Sequence, residues 1–301
     1  MNSFKTGIVP EFSRINVIDN KIDARLRLSL KREFLVSKFN GVLPSGGKGR
    51  FHAYCVGLPR SGTHSIAHML QQQYAADHEP HAYYAIYHVL KRMTWQYNFA
   101  DIQNILKWRH KKFAFELESA HYLHHVVDVL ASSFPDAKFI LTIRDPVSWL
   151  ESEINRNYST RNKLFWRELE DYRYGRYQHA FTSHEVALEQ LDLYPIASYL
   201  SYWKEHSQFV LDMVPQERLL VMNTREICSN PGKLADFLDI DVNTLNLRKS
   251  HANKRSKRFK LTDLVNQRYL SQQVDEICTD FIDTQLPFFK ADVTRPHSSV
   301  S

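Results

Sequence analysis

Short apolar runs alternate with helix-like segments along the chain from residue 51 onward. The predicted strands are residues 51–56, 112–115, 138–143 and 218–222. Apolar residues recur at helical spacing after these runs, as in Ile66, Met69 and Leu70 after the first. Continuous apolar strands that alternate with helices are typical of a parallel sheet that is buried on both faces. The pattern therefore predicts a three-layer α/β fold, with a central parallel sheet and helices on both faces.

The first fifty residues do not follow this alternation. They contain a basic, amphipathic stretch at 21–40, and a cluster of Pro, Gly and Ser at 44–49 ends it. We therefore predict an N-terminal appendage over residues 1–50 and one α/β domain over residues 51–301.

The composition is that of a globular protein in a reducing compartment. Of the 301 residues 43% are hydrophobic, which is enough to form a sizeable core. The three cysteines have no paired spacing, so we expect no disulfide framework. No apolar run reaches 18 residues, and the N-terminus lacks the apolar core of a signal peptide. These features predict a cytoplasmic protein without a transmembrane segment.

The formal net charge of +6 favours a polyanionic partner. Nucleic acid, an anionic membrane surface in peripheral contact, and a ligand with several phosphates all fit that charge. The net charge does not distinguish these partners, so the positions of the basic residues along the chain must be considered.

A phosphate-binding loop is predicted between the first strand and its helix. Backbone N–H groups at 57–65 can converge on an anion at the helix N-terminus, where the dipole favours negative charge. Gly62 permits close approach, Arg60 supplies a cation, and hydroxyls come from Ser61, Thr63 and Ser65. The two glycines have the spacing of a triphosphate P-loop, but Thr63 and His64 replace its Lys-Ser/Thr pair. The chain therefore lacks the lysine that reaches the outer phosphates in nucleotide kinases and GTPases, which counts against that class.

A second anion site is predicted at the end of the third run. Arg144 follows that strand, and Ser152 lies eight residues later, about two turns into the next helix. The two side chains can hold one phosphate from two sides. The alternative is an Arg144–Asp145 pair that only caps the helix.

Both motifs resemble those of the sulfotransferases that use 3′-phosphoadenosine 5′-phosphosulfate (PAPS). The sequence Pro-Arg-Ser-Gly-Thr at 59–63 is similar to the family's 5′-phosphosulfate loop, above all in its bacterial, Golgi carbohydrate and tyrosine-protein branches. Arg144 and Ser152 resemble the 3′-phosphate motif in sequence and spacing. The resemblance implies a P-loop nucleotide-kinase-like fold. It also implies that PAPS is bound by Arg60, Ser61, Gly62, Thr63, His64, Ser65, Arg144 and Ser152.

The basic segment at 248–260 has two interpretations. By the resemblance, a basic loop here closes over the 3′-phosphate, with Lys254 and Arg255 as candidates. Taken alone, the segment equally fits a solvated basic face or a nucleic-acid-binding tail, which a steep salt dependence of affinity would reveal. We expect no nucleic-acid partner, because PAPS carries phosphates on both sides of its ribose and accounts for two anion sites.

Three residues compete for the role of general base. Glu79 is favoured, because it follows the phosphate-loop helix where tyrosine-protein and several bacterial members carry a catalytic Glu. Glu118 or His121 would substitute at the end of the second strand, where other members carry His or Lys. Arg60 would neutralise the leaving group. An exposed polar turn is the alternative for either acidic cluster.

His81, His121 and Trp166 are the predicted acceptor-binding residues. Residues 161–200 are rich in aromatic and charged side chains, and fit a helical lid over the acceptor or ordinary helix packing equally. His121, His124 and His125 could share one helix face, but no matching carboxylate pattern accompanies them. We read them as a partly exposed helix face and expect no essential metal.

The sequence thus predicts transfer of a sulfuryl group from PAPS to an acceptor hydroxyl or amine, with 3′,5′-bisphosphoadenosine as the product. A polysaccharide, a glycolipid, a protein tyrosine and a small metabolite all fit as the acceptor. The basic charge and the lack of an apolar anchor favour a carbohydrate or lipid-linked acceptor. The alternatives are a P-loop nucleotide kinase or GTPase and a non-enzymatic anion- or nucleic-acid-binding module.

Overall fold

The structure of the protein is a computed structural model that describes residues 49–249, 258–287 and 289. Of the predicted N-terminal appendage, 1–50, only the last two residues fall within these ranges. Lys254 and Arg255 lie outside the described residues.

Five parallel strands form one sheet in the order β2-β3-β1-β4-β5. Their bounds are β1 (Ala53–Cys55), β2 (Ala76–His78), β3 (Leu117–Ser119), β4 (Lys138–Ile143) and β5 (Leu219–Asn223). The central strand β1 pairs with β3 on one side and with β4 on the other. The chain moves to one side of β1 for β2 and β3, and to the other side for β4 and β5. Ligands of such sheets bind where the direction of winding changes, outside the carboxyl ends of the strands.

Helices surround the sheet. They are α1 (Thr63–Leu70), α2 (Ala82–Met93), α3 (Phe99–Phe113), α4 (Val127–Ser133), α5 (Pro146–Thr160), α6 (Leu164–Tyr174), α7 (Val186–Gln190), α8 (Ile196–Met213), α9 (Glu226–Ser229), α10 (Pro231–Leu238), α11 (Leu261–Leu264) and α12 (Gln267–Gln285). A 3₁₀ helix, His121–Val126, precedes α4. Within the described ranges, no helix combines the length and the apolar character needed to cross a bilayer.

The side chains of β4 show that both faces of the sheet are covered. Phe139, Leu141 and Ile143 belong to one buried cluster, with residues of α2 to α6, α8 and α12. Ile140, between them, belongs to a second cluster with residues of α1 and α10. Successive residues of a strand point to opposite faces, so each face has its own core. The predicted three-layer α/β fold, of the P-loop nucleotide-kinase-like type, is confirmed.

The second predicted strand, 112–115, is wrong. Helix α3 extends through Phe113, and Ala114 ends it in the left-handed conformation at φ 48°. Reciprocal bonds between Asn98 and Asp101 fix the start of this helix. Its register therefore carries the apolar run into the helix, and the strand follows at Leu117–Ser119. The edge strand β2 was not predicted, since its three residues are Ala, Asp and His.

Gly57 allows β1 and β4 to lie side by side at the start of the phosphate loop. A Cβ at this position would lie 1.9 Å from the Thr142 Oγ1 and 2.7 Å from the Thr142 backbone nitrogen. Main-chain hydrogen bonds continue past it, from the Leu58 nitrogen to the Thr142 oxygen at 3.2 Å. We predict that Gly57→Ala lowers the free energy of unfolding in urea by about 1–3 kcal/mol or more, because the backbone of β4 must move.

Gly232→Ala is the matched control for that measurement. Gly232 lies inside α10, and the nearest atom to an added Cβ is 3.8 Å away. This variant should be unchanged or more stable by up to about 1 kcal/mol, because alanine favours a helix interior. Equal stability of the two variants would contradict the tight β1–β4 contact.

Candidate active site

A cavity of about 760 Å³ lies at the carboxyl end of the strands. Its lining comes from the β1–α1 loop, the ends of β2 and β5, the 3₁₀ helix, and helices α5 and α6. This is the edge at which ligands of open parallel sheets bind. The volume is within the range of small-molecule and cofactor sites.

The N-terminus of α1 forms one end of the cavity. Gly62 precedes the helix at φ 104°, a backbone conformation that glycine adopts without strain. Gly62, Thr63, His64 and Ser65 all line the cavity. The first N–H groups of a helix have no acceptor within it and carry its positive dipole end, so this segment suits an anion.

Ser61 builds the loop and does not face the cavity. Its Oγ donates to the Leu58 carbonyl at 2.6 Å and lies 2.7 Å from the Thr142 Oγ1. Its backbone nitrogen donates to the same carbonyl at 3.2 Å. Both donors of this fully buried residue are therefore used within the protein. The prediction that the Ser61 hydroxyl contacts the cofactor is not supported by this geometry.

Arg60 lies beside the helix N-terminus in a left-handed conformation, with φ 63°. A non-glycine residue in this conformation costs energy, and such residues concentrate at functional sites. The Arg60 Nε donates to the Ser152 Oγ at 3.0 Å, which ties the loop to α5. Ser152 was predicted to hold a phosphate together with Arg144. It instead accepts the hydrogen bond from Arg60, and it is not among the lining residues.

Arg144 lies at the end of β4 and lines the cavity together with Asp145 and Ser148. The Arg144 Nε donates to the Ser148 Oγ at 2.8 Å. Asp145 caps α5, because its Oδ1 accepts from the Ser148 nitrogen at 2.9 Å. The helix cap named in the alternative is therefore present, but among the described contacts Arg144 bonds to Ser148 and forms no ion pair with Asp145. Arg144 also lines the cavity.

Four polar residues of α5 lie on the side of the helix toward the site. Ser148, Ser152, Arg156 and Thr160 recur every four residues and so share one helix face. Arg156 lines the cavity and was not predicted. Its Nη1 donates at 3.1 Å to a carboxylate oxygen of Glu153 and at 3.1 Å to one of Glu170. The four-residue spacing from Ser148 to Arg156 is the sequence signal that could have indicated it.

The end of β5 adds Asn223, Thr224 and Arg225 to the lining. Thr224 donates its hydroxyl to the Ser61 carbonyl at 2.7 Å and its N–H to the Ile143 carbonyl at 2.8 Å. These bonds join β5 to the phosphate loop and to β4. The position of Arg225 three residues after a predicted strand was the available signal, since the carboxyl ends of parallel strands share one edge.

The lining is strongly cationic. Five of its residues are Arg or Lys and two are acidic: Arg60, Arg144, Arg156, Lys163 and Arg225 against Glu79 and Asp145. The low dielectric of a cleft strengthens a field of one sign, so the cavity attracts anions. Burial lowers the pKa of Arg144, with neighbouring Arg225 acting in the same direction and Asp145 against it. An anionic ligand beside Arg144 would relieve this repulsion.

Glu79 is the predicted base that reaches the cavity. It follows β2 in a left-handed conformation at φ 52°, and its nitrogen donates to the Ser119 carbonyl at 2.9 Å. The Glu79 Oε1 lies 3.1 Å from the His121 Nε2 and 3.9 Å from the His78 Nε2. Burial lowers the pKa of His78 to about 4, so this neighbour is neutral at pH 7. Of the two carboxylates that line the cavity, that of Glu79 is thus flanked by two histidines.

A model of the sulfotransferase domain matches residues 54–257, which is more than half of the chain. The chain belongs to this family. No curated protein matches the sequence.

Among solved structures, a sulfotransferase from Alicyclobacillus acidocaldarius is similar to this sulfotransferase over 80% of this chain and 98% of its own, with 14% identity and a TM-score of 0.44. The sulfotransferase STF9 from Mycobacterium avium is similar over 93% of this chain and 87% of its own, with 14% identity and a TM-score of 0.42. The sulfotransferase domain of the Synechococcus PCC 7002 olefin synthase is similar over 78% and 90%, with 16% identity and a TM-score of 0.36.

Two further predicted site residues of this sulfotransferase, beside Ser61 and Ser152, do not line the cavity. Glu118 is buried within β3 and forms an ion pair with the equally buried Arg109. His81 stacks on Phe113 with ring centroids 4.0 Å apart. Neither lines the cavity, so the structure does not support a role as base for Glu118 or in acceptor binding for His81.

His121 and Trp166 do line the cavity. The Trp166 ring centroid lies 4.8 Å from the Cζ of Arg156 and 5.8 Å from the His121 ring. Tyr174, from the same helix, is fully buried and donates its hydroxyl to Glu153 at 2.8 Å. Helix α6 therefore contributes both a wall of the site and ordinary packing.

The three histidines of the 3₁₀ helix are buried, so the prediction of a partly exposed face is wrong. His121, His124 and His125 are 3%, 4% and 6% exposed. The His124 ring stacks on His206 with centroids 3.7 Å apart. Arg173 of α6 and His206 of α8 contact these rings, which sequence spacing alone did not indicate.

The buried pair of Glu118 and Arg109 should determine stability. Glu118→Leu leaves the Arg109 guanidinium without its carboxylate, with the Pro80 carbonyl as its remaining partner at 2.6 Å. We predict a loss of about 3–5 kcal/mol in the free energy of unfolding, and recovery of much of it in Glu118→Leu/Arg109→Met. The measurement is urea denaturation. A folded double variant whose sulfuryl transfer is at least a hundredfold slower would place Glu118 in the chemistry after all.

Proposed function

We propose that this sulfotransferase moves the sulfuryl group of PAPS to an acceptor hydroxyl or amine. One observation carries the proposal: a single cationic cavity is lined both by the N-terminus of α1 and by Arg144 with Ser148. PAPS has a phosphosulfate on the 5′ side of its ribose and a phosphate on the 3′ side. Two anion-binding segments in one cavity suit that ligand.

In the proposed complex, the first turn of α1 and Arg60 hold the 5′-phosphosulfate. Backbone N–H groups of Gly62 to Ser65 provide donors without a side-chain requirement. Arg144 and Arg225 hold the 3′-phosphate as charge-assisted donors, with the Ser148 hydroxyl beside them. Lys254 and Arg255, predicted from the sequence alone, are further candidates for contacting the 3′-phosphate.

The reaction is an in-line displacement at sulfur. The acceptor oxygen forms the new O–S bond, and the bond between sulfur and the 5′-phosphate oxygen breaks. That oxygen keeps the electron pair and leaves as part of 3′,5′-bisphosphoadenosine, while the acceptor proton passes to the Glu79 carboxylate. Arg60 stabilises the charge that develops on the leaving oxygen. As in phosphoryl transfer, positioning and charge stabilisation supply most of the catalysis.

The acceptor is proposed to enter along the wall of Arg156, Thr160, Lys163 and Trp166. These residues line the cavity between the C-terminus of α5 and the start of α6. An indole offers an apolar face beside a polar edge, which suits the mixed surface of a sugar. A carbohydrate or lipid-linked hydroxyl is therefore the acceptor class that we favour.

A nucleotide kinase or GTPase is the second candidate. It would require a Lys-Ser/Thr pair directly after Gly62, where the chain has Thr63 and His64. Thr63 has the lysine position, and its Oγ1 lies 3.3 Å from the His78 Nε2, while His64 has the position of the magnesium-binding hydroxyl. PAPS explains the second anion site at Arg144, and a triphosphate does not.

Thermal unfolding with and without nucleotides tests the proposal. A ligand at a hundred times its Kd adds about 2.7 kcal/mol to stability. We predict that 3′,5′-bisphosphoadenosine stabilises the wild type more than AMP, or ATP or GTP with magnesium, and that Arg144→Ala removes most of this stabilisation. Each variant is compared with its own unliganded form, so intrinsic stability cancels.

Arg268→Ala is the control, because Arg268 is exposed on α12 and does not line the cavity. It should keep the full stabilisation by the bisphosphate. Stronger stabilisation by ATP or GTP, or an unchanged response of Arg144→Ala, would favour the kinase reading.

A further inference from the structure

Arg173 lies behind the active site and contacts two histidines. It belongs to α6 and is fully buried. Its Nη2 lies 2.8 Å from the His121 Nδ1, and its Nε donates to the His125 Nε2 at 3.2 Å. Its guanidinium also lies over the Tyr202 ring, 5.2 Å from the centroid.

These contacts determine where the imidazole protons are. A guanidinium has N–H donors and no acceptor, and it stays charged in proteins. The nitrogen that receives its hydrogen bond must therefore carry a lone pair. For His121 this is Nδ1, so the one ring proton of the neutral imidazole is on Nε2.

The Nε2–H of His121 lies beside the carboxylate of Glu79, which lines the cavity. It lies 3.1 Å from the Glu79 Oε1, but without the alignment of a hydrogen bond, and no other group among the described residues accepts from it. His121 is only 3% exposed, yet it lines the cavity. A buried N–H without an acceptor costs free energy, so a bound ligand oxygen is the natural partner.

The groups around His121 all favour the neutral ring except Glu79. They are His78 at the end of β2, Glu79 directly after it, Arg156 on α5, Arg173 on α6 and His206 on α8. Burial, followed by the charges of Arg173 and Arg156, holds the pKa of His121 well below its usual range. Protonation of Nδ1 would also break the bond from Arg173.

We propose that Arg173 is a positioning residue that fixes His121 as a neutral Nε2–H donor, and that His121 donates this hydrogen bond to an oxygen of the bound substrates beside Glu79. The inference rests on the proposed function and deepens it. His121 then cannot accept the acceptor proton through Nε2, because that nitrogen already carries one. The choice of base left open by the sequence is thereby reduced to Glu79.

Nitrogen-15 NMR of the unliganded wild type tests the tautomer without any assay of transfer. The ring signals of His121 among the 15 histidines are assigned by their loss in His121→Gln. We expect a neutral ring with the proton on Nε2 from about pH 5.5 to 8, below and above the ordinary histidine pKa of about 6.5. A ring that titrates in this interval, or carries its proton on Nδ1, overturns the proposal. This result holds whether or not the chain uses PAPS.

Paired substitutions separate a donor from a base. His121→Gln keeps an N–H donor near the position of Nε2, and His121→Leu does not. Turnover of PAPS to 3′,5′-bisphosphoadenosine should fall less than about tenfold in His121→Gln and about 10²–10³-fold in His121→Leu, the effect of losing one such donor. Glu79→Gln, which removes the base, should fall by about 10²–10⁴-fold. Equal losses in the Gln and Leu variants of His121 would show that it acts as the base.

The role of Arg173 has its own readout in the pH profile of kcat/KM. Arg173→Met frees Nδ1 and removes the adjacent positive charge, so the pKa of His121 should rise even though burial still opposes protonation. Activity should then start to decline at a higher pH than in the wild type as the pH falls. Arg173→Lys keeps a cationic donor and should restore the wild-type profile. Identical profiles for the two variants would contradict the positioning role. If Arg173→Met does not fold, the proposal is tested by the tautomer seen by NMR and by the comparison of His121→Gln with His121→Leu.

Discussion

The parallel pairing of β1 with β4 is the constraint on which the site depends. The register aligns Cys55 with Ile140, so both strands run to the same edge of the sheet. Gly57 lets the chain continue past β4 at van der Waals distance before it turns into the phosphate loop. The N-terminus of α1 and Arg144 therefore open into one cavity, and neither would do so if the strands were shifted or antiparallel.

A second layer of contacts holds the cations of that cavity in position. Arg156 lies between the buried carboxylates of Glu153 and Glu170, which keep its charge inside the protein and raise its pKa. Arg60 is fixed to α5 through Ser152. Pre-positioned charges need no rearrangement when negative charge develops on a ligand, which is how electrostatic catalysis is obtained in a water-poor site.

The sequence predicted those parts of the structure that depend on local pattern. The run 138–143 became β4 at the predicted positions, and the loop before α1 lines the cavity as expected. The run 112–115 failed because the capped start of α3 sets a helical register that continues through it. An apolar run of four residues does not show whether the segment forms a strand or continues the preceding helix.

Side-chain partners were harder to predict than positions. Ser152 lies where its spacing indicated, but it contacts Arg60, and Ser148 contacts Arg144. Glu118 lies beside the expected strand end, but Arg109 from α3 binds it inside the core. Arg173 and His121 are 52 residues apart, and their contact follows from the packing of α6 on the 3₁₀ helix. Such pairs depend on tertiary packing, which no local pattern encodes.

A crystal structure of the full chain with 3′,5′-bisphosphoadenosine tests the central claim most directly, and it needs no knowledge of the acceptor. The account predicts the 5′-phosphate at the backbone N–H groups of Gly62 to Ser65 and the 3′-phosphate at Arg144, with Glu79 and His121 facing the empty sulfuryl position. A ligand with both phosphates at the α1 N-terminus, or bound outside this cavity, would contradict it.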